Sequence, residues 1–294
     1  MERKILLAID FNNILFSSYY GEKLVNSKGM NVNAIKGFFF KLKTLRDTFN
    51  PDYIVFANDI SRSKTFRRQL YKPYKAQRKE HDEDIMSQMR YASNITTLLG
   101  FPFINNELYE ADDILGMLSR FGNERDMDVI IVSSDRDMYQ LVNDHTCIFS
   151  YKNRELIDKN FIYNNYKLTP EQWIELKMLQ GDTSDNIPGI HGIGEVTALR
   201  LMQNFGSIAG IYSHMGYHKP KIRELLKQGE SVLPLTRELV TIITDYTKIN
   251  LTEDMIQRDT CYQNEVNEVI QELEIYSLFN VMNYSLFLNK EDLR

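Results

Sequence analysis

Short, wholly apolar runs alternate with amphipathic ones through the first half of the chain. Ile5 to Ile9, Tyr53 to Ala57, Phe101 to Ile104, Val129 to Val132 and Cys147 to Phe149 read as strands, and runs that lack polar alternation mark strands buried on both faces. Amphipathic segments such as Ile114 to Phe121 lie between them. The pattern predicts an α/β fold with a mostly parallel central sheet and flanking helices. It stops near residue 165. Beyond Lys167-Leu168-Thr169-Pro170-Glu171, where Thr169 is placed to cap a helix and Pro170 to open it, the chain turns predominantly helical. Glu195 to Asn204, Lys219 to Lys227, Leu235 to Thr244 and Glu265 to Tyr276 carry that reading. Residues 1–165 are thus expected to form the α/β domain and 166–294 a helical C-terminal region, with no repeat or low-complexity tract.

Acidic residues gather where the predicted strands end. Asp10 closes the first apolar run, and Asp59 follows the second. Glu110, Asp112 and Asp113 open the helical run to Phe121, with Glu110 and Asp113 three apart and sharing a helix face. Asp135 and Asp137 follow Val129 to Val132 in a strand-to-helix loop and point the same way if that loop stays extended. Asp182 and Asp185 lie just beyond a helix-like stretch. A single Asp in such a place is ordinarily a cap or turn residue. Nine acids at successive element boundaries are a different matter, because carboxylates converging in one pocket cannot all ionise alone. Hard divalent cations, Mg²⁺ or Mn²⁺, are the natural compensation, and the chemistry they imply is on phosphodiesters.

Two further features ask for phosphate. Ser61 to Lys79 carries Arg62, Lys64, Arg67, Arg68, Lys72, Lys75, Arg78 and Lys79 with no acid among them, interleaved with Phe66, Tyr71 and Tyr74. Cations at that density repel one another unless neutralised, and aromatic rings among them offer stacking faces for unpaired bases. Arg67, Arg68, Lys72 and Tyr74 are therefore candidate DNA contacts, and Pro73 should interrupt any helix through the segment. The second feature is Asn186-Ile187-Pro188-Gly189-Ile190-His191-Gly192-Ile193-Gly194, which precedes the helix from Glu195. Gly189, Gly192 and Gly194 allow a tight turn whose backbone amides can approach a phosphate, beside the positive end of the following helix.

Leu7-Ala8-Ile9-Asp10, Tyr109-Glu110-Ala111-Asp112-Asp113, Ser133-Ser134-Asp135-Arg136-Asp137-Met138 and Gly181-Asp182-Thr183-Ser184-Asp185-Asn186-Ile187-Pro188-Gly189 together resemble the acidic blocks of the 5′ nuclease family. That family includes the 5′ nuclease domain of bacterial DNA polymerase I, phage 5′ exonucleases and flap endonucleases. The resemblance runs from about residue 4 to about 245. It implies a catalytic α/β domain with a helical arch at about 61–90, and a helix-hairpin-helix at about 186–206 that grips duplex DNA, with K⁺ bridging backbone and phosphate. By motif, Lys75 and Arg78 become the cations at the scissile phosphate, where they would stabilise charge that develops in the transition state. Asp10, Asp59, Glu110, Asp112 and Asp113 are expected to form a tighter metal site, and Asp135, Asp137, Asp182 and Asp185 a more open one. The implied activity is two-metal-ion 5′-3′ exonuclease and flap endonuclease hydrolysis, giving 5′-phosphate and 3′-hydroxyl ends. Its substrates would be DNA with 5′ flaps, nicks or 5′ ends, extending to RNA primers in replication or repair, with replication proteins acting in trans. Three departures stand out. The chain is one residue longer between Asp59 and Phe66-Arg67, which leaves Asn58 as a competing register. Phe11 and Ser17 stand where polymerase-type members resemble one another in Gly and Arg, which points toward the phage branch.

Composition narrows the picture without deciding it. The 294 residues, 43% hydrophobic, suffice for one large domain or two packed ones. A net charge of −5 looks unfavourable for a DNA binder, yet setting aside the nine clustered acids leaves +4, and the distribution of charge matters more than its sum. Cys147 and Cys261 lack metal-ligand spacing and read as buried thiols. His81, His145, His191, His214 and His218 are scattered and read as surface or loop residues. Without a signal peptide or a membrane-length apolar run, the expectation is a cytoplasmic monomer in a bacterial or phage-infected cell. Two alternatives stand beside the nuclease: a PIN-type ribonuclease sharing the acidic α/β core, and a non-catalytic structure-specific DNA-binding protein.

Overall fold

The computed structural model describes residues 3–59, 64–78 and 81–281. Arg62 and Lys79 of the basic segment lie outside them. Six strands, β1 (Lys4–Asp10), β2 (Tyr53–Ala57), β3 (Phe103–Ile104), β4 (Met127–Val132), β5 (Thr146–Ser150) and β6 (Glu155–Ile157), form one sheet in the order β3-β2-β1-β4-β5-β6. All neighbours are parallel except β5 and β6. The antiparallel β6 was not legible in the sequence, being three residues long with Leu156 exposed.

Between the strands and beyond them run α1 (Phe11–Tyr19), α2 (Asn33–Phe49), α3 (Phe66–Leu70), α4 (Glu83–Leu98), α5 (Ala111–Asn123), α6 (Lys159–Tyr166), α7 (Gln172–Gln180), α8 (Glu195–Phe205), α9 (Ile208–Ser213), α10 (Pro220–Gly229), α11 (Leu233–Val240), α12 (Gln263–Leu273) and α13 (Ser277–Val281). Side chains alternate across a strand, and β1 feeds two cores accordingly. Leu6 and Ala8 pack with α5 and the helices from α6 to α11. Leu7 and Ile9 pack with α1, α2 and α4, and with α12 and α13, which return to that face. Phe11 lies in an aromatic cluster, its ring 5.2 Å from Phe38 and 5.1 Å from Phe103.

Register places the functional edge. Asp10 lies opposite Ala57 and Ile9 opposite Val132, so the segments after β1, β2 and β4 leave the sheet along one edge. The chain passes from β1 outward to β2 and β3, then resumes on the other side of β1 with β4. Such a switch point opens a crevice at the carboxyl ends of the strands. Asp10 and Asp135 flank it.

Three helix boundaries differ from the sequence reading: the helix expected to reach Tyr276 ends at Leu273, where Glu274 turns left-handed, and two others have their cause in side-chain contacts. The segment expected to be helical to Thr244 leaves the helix after Val240, because its amides are taken by side chains. Ile242 N–H donates to Gln140 Oε1 (2.9 Å) and Ile243 N–H to Asp113 Oδ1 (3.0 Å). This strap lies against α5, where a Cβ on Gly116 would sit 2.6 Å from Ile242 Cγ2. The helix expected to open at Pro170 begins at Gln172, whose Oε1 accepts the Thr169 N–H at 2.7 Å while Pro170 occupies the preceding turn. His218 is buried, not exposed, with Nε2 2.8 Å from Ile211 O. Both cysteines are free thiols and only half-buried. No helix among the described residues is long and apolar enough to cross a membrane.

Candidate active site

The acids assemble around Asp135. Asp10 caps α1 by accepting Asn13 N–H at 3.0 Å, and its other oxygen accepts Ser133 Oγ–H at 3.2 Å. Ser133 Oγ in turn accepts Asp135 N–H (3.2 Å), and Asn13 Oδ1 accepts Ser134 N–H (3.1 Å). The loops after β1 and β4 are thereby stitched together by Ser133 and Asn13, neither of which the sequence singled out. Asp59 Oδ1 accepts Ala111 N–H at 2.7 Å, at the first turn of α5. Of the two registers, Asp59 is the one whose carboxylate stands among the other acids.

Electrostatics confirm a crowded group. Burial raises the Asp10 carboxyl to about 7, with the charges of Asp59 and Asp135 adding to the effect. Burial pushes Asp112 well above the usual range, and Asp135, Asp10 and Asp59 push it further while Lys75 opposes them. Asp137 is raised to about 6 by burial and Asp135, against the pull of Lys177. Asp135 therefore faces both groups. The sequence grouping, which separated it from Asp10 and Asp112, is revised on this point.

Lysines and arginines are laid among the acids. Lys177, on α7, donates to Asp137 Oδ1 (2.8 Å) and Asp182 Oδ2 (2.6 Å), and its ammonium, with Ser184, helps hold Asp182 down at about 2 against the effect of burial. Lys75 reaches Glu110 Oε1 at 2.7 Å and Asp185 Oδ2 at 3.6 Å. Its backbone is left-handed, with φ 51°, a conformation that costs an L residue energy unless the surroundings fix it. The Lys75 N–H donation to Asp185 O (2.8 Å) supplies that fixing. Arg78 pairs with Asp185, and Gln77 donates to the carbonyls of Thr183 and Ser184 (3.2 and 3.1 Å). Asn186 Nδ2–H donates to Pro73 O at 2.8 Å. The end of the basic segment is thus docked onto the last acidic block. A cavity of about 340 Å³ opens beside it, lined by Asn13, Asp135, Asp137, Lys177, Asp182 and Asp185 among others.

Several expected contacts have other roles. Arg67 is buried, and it donates to both oxygens of Asp113 (2.6 and 2.8 Å), to Glu110 (3.1 Å) and to the carbonyls of Leu239 and Thr241 (both 2.8 Å). It cannot present its guanidinium to DNA. Asp113, fully buried, is consumed by Arg67, Ile243 N–H and Glu110 N–H, so it is a structural anion and not a metal ligand. Tyr74 is also buried; its hydroxyl donates to Glu110 Oε2 at 2.7 Å, which rules out base stacking. Arg68 half-covers the Tyr74 carbonyl at 2.6 Å, and Lys72 stays exposed. A Cβ on Gly189 would lie 2.3 Å from Gly181 N, so that glycine serves the approach of two backbones. Gly192, with φ 83°, and Gly194, around which a Cβ would meet nothing within 4 Å, are exposed at the start of α8. No side chain caps the α8 amides, and Val196 beside them is 72% exposed.

Among the described residues no three acidic, His or Cys side chains stand as a preformed ligand group; Lys75, Lys177 and Arg78 take up carboxylate oxygens of the acids instead. The donor set nonetheless fits a hard divalent cation. It consists of oxygens only, and Gln180 Oε1, on the cavity wall, and Asn58 Oδ1, beside Asp59, are buried without a hydrogen-bond donor. Binding should displace protons. A carboxyl whose folded value is raised keeps its proton until the pH passes that value, so Asp10 and Asp137 are partly protonated near pH 6. Calorimetric titration with Mn²⁺ in two buffers of different ionisation enthalpy should give buffer-dependent heats at pH 6, with tighter binding and a smaller buffer dependence at pH 8. Identical heats at pH 6 would contradict the assignment.

Acids along the carboxyl edge of a parallel sheet, cations from a basic segment among them and a glycine turn ahead of an uncapped helix define an acid-site nuclease fold. Two family models match in succession, the 5′-3′ exonuclease N-terminal resolvase-like domain over residues 5–167 and the 5′-3′ exonuclease C-terminal SAM fold over 168–263. The chain belongs to the 5′-3′ exonuclease family. A 5′-3′ exonuclease of Halalkalibacterium halodurans is 36% identical over 265 residues, covering 85% of this chain and 87% of that one. Thermostable DNA polymerase I of Thermus thermophilus is 34% identical over 277 residues, covering 94% of this chain and 32% of the polymerase. The chain spans about a third of the length of the polymerase relatives it matches. Among solved structures, the T5 5′-exonuclease with bound zinc ions superposes with a TM-score of 0.71 at 23% identity, over 92% of this chain and 99% of that one. At that identity the likeness concerns the fold.

Proposed function

We propose that this protein is a metal-dependent, structure-specific 5′ nuclease that trims DNA from 5′ ends and cuts at 5′ flaps, its range extending to RNA primers. The observation that carries the reading is the convergence on Asp135 of two mutually repelling acid groups, with Lys75 and Arg78 set between them. Divalent ions, Mg²⁺ or Mn²⁺, would be held by Asp10, Asp59, Asp112 and Asp135 on one side and by Asp137, Asp182 and Asp185 on the other. Two such ions, when bound, supply an activated water and stabilise the leaving 3′ oxygen, which yields 5′-phosphate and 3′-hydroxyl ends.

The chain's own residues do the rest. Lys75 and Arg78, which rest on Glu110 and Asp185, are placed to turn to the scissile phosphate and stabilise charge that grows in the transition state. Arg67 and Tyr74 hold Glu110 in place. The amides of Gly192 and Gly194 and the α8 amino terminus take duplex phosphates without reading sequence, and the turn's carbonyls would be the groups to hold K⁺ there. The enzyme works as a cytoplasmic monomer, with replication proteins supplied in trans. A substrate panel tests this reading: a 5′-flap DNA duplex, the same flap with RNA at its 5′ end, and single-stranded RNA, each with Mg²⁺. Cutting at the flap junction that leaves a directly ligatable 5′-phosphate is expected. Preferential cutting of single-stranded RNA would favour the PIN-type alternative instead.

A further inference from the structure

One partly buried cation near the acid edge has no acid on it. Lys41, on α2, donates to Ser17 Oγ at 2.6 Å and reaches Ile14 O at 3.5 Å, with its ammonium 5.1 Å from the centre of the Tyr151 ring. No carboxylate pairs with it among the described residues, whereas Lys75, Lys177, Arg67 and Arg78 each sit on one. Its place in the fold is specific. Tyr151 directly follows β5, which runs parallel to β4 and β1, and so stands on the same sheet edge as Asp10 and Asp135. Ser17 is exposed and lies four residues beyond Asn13, which lines the acid cavity. Residues four apart share a helix face, about 6 Å apart along the axis, so the ammonium stands roughly one turn out from the cavity rim.

We propose that Lys41, with the Ser17 hydroxyl and the Tyr151 ring, forms a binding site for a backbone phosphate of the substrate DNA, one or two nucleotides from the scissile bond. The axial spacing suits this, since successive phosphates of one strand advance about 3.4 Å along a duplex. Burial without a compensating anion already weighs on the ammonium, which is lowered to about 8, so an incoming phosphate satisfies a group the protein leaves unsatisfied. The hydroxyl, which donates to Ile14 O at 2.7 Å while accepting from Lys41, holds the ammonium at this spot, and the ring fixes the lysine stem over the edge. This site supplies position and affinity, not chemistry.

The inference rests on the nuclease reading, and its test separates the two. Lys41→Met keeps the stem's packing and removes the charge; Lys41→Arg keeps the charge. Binding of a labelled 5′-flap DNA, measured in EDTA across a salt series, should show the slope of log K against log salt flattened by about 0.9 in Lys41→Met, the loss of one phosphate contact, and restored in Lys41→Arg. In Mg²⁺, KM for the flap should rise about five- to tenfold in Lys41→Met with kcat within twofold of wild type. A slope and KM equal to wild type in Lys41→Met would overturn the site, as would a loss that Lys41→Arg fails to restore. Absence of cleavage by the wild type would defeat the nuclease reading and leave the binding slope to decide the phosphate site.

Discussion

Replacing Arg67 by alanine is expected to destabilise the protein by about 3–5 kcal/mol, the typical cost of stranding a buried charge. The guanidinium makes five hydrogen bonds, to Asp113, to Glu110, to the Leu239 carbonyl near the end of α11 and to the Thr241 carbonyl in the strap that follows it. Asp113 is fully buried and Glu110 is 7% exposed, so neither carboxylate can turn to water when the arginine is lost. Lysine should restore little, because one ammonium cannot reproduce a planar fork that grips Asp113 with two nitrogens while reaching both carbonyls. Since Arg67 joins α3, α5 and the strap, cleavage should fall with stability. Urea denaturation gives the measurement: a clear drop in midpoint is expected for both variants, and a midpoint equal to wild type for Arg67→Ala would remove the node from the account of the fold.

Asp112→Asn should act in the opposite direction on stability while abolishing cleavage. The Asp112 carboxyl is pushed well above its ordinary value by burial and by Asp135, Asp10 and Asp59. A carboxyl raised in the folded state binds its proton more tightly there than in the unfolded chain. Metal-free stability therefore falls as pH rises above the unfolded value of about 4, until the folded value is passed. Asparagine escapes that penalty. In EDTA at pH 8 the variant should be more stable than wild type, and the advantage should shrink towards pH 4. With Mn²⁺ present the order should reverse, because the wild type gains binding energy that the variant lacks. Thermal melts at pH 5 and pH 8, with and without the ion, carry the test; a variant less stable than wild type in EDTA at pH 8 would count against a crowded, repelling acid group.

The sheet was legible because its strands are apolar throughout and end in acids. Asp10, Asp135 and Asp182 could be placed at element ends from the pattern alone, and parallel pairing then brings the loops after β1 and β4 to one edge. What the sequence concealed was which charges face one another. Arg67 and Lys72 belong to the same basic run, yet one is buried on Asp113 and the other exposed. Charge density in a segment says nothing about which side chain turns inward once α3 packs beneath the strap. Asp113 misled for a related reason: its spacing from Glu110 matches a ligand pair equally well as a capping box, and the structure uses it as the latter. Lys177 had a signal in its position five residues before Asp182, across the end of α7, but only the fold shows it also touching Asp137. Lys41 had none, since its nearness to Ser17 depends on how α1 and α2 pack.

The most direct test is cleavage of a labelled 5′-flap duplex by the wild type and by Asp112→Asn, with Mg²⁺ and with EDTA, alongside binding of the same duplex in EDTA. Cutting near the flap junction by the wild type in Mg²⁺ only, reduced at least a hundredfold (about 2.7 kcal/mol) in the variant while binding persists, is the predicted result. Cleavage that survives EDTA, or a variant that cuts as the wild type does, would contradict the assignment of these acids to a divalent-ion nuclease site.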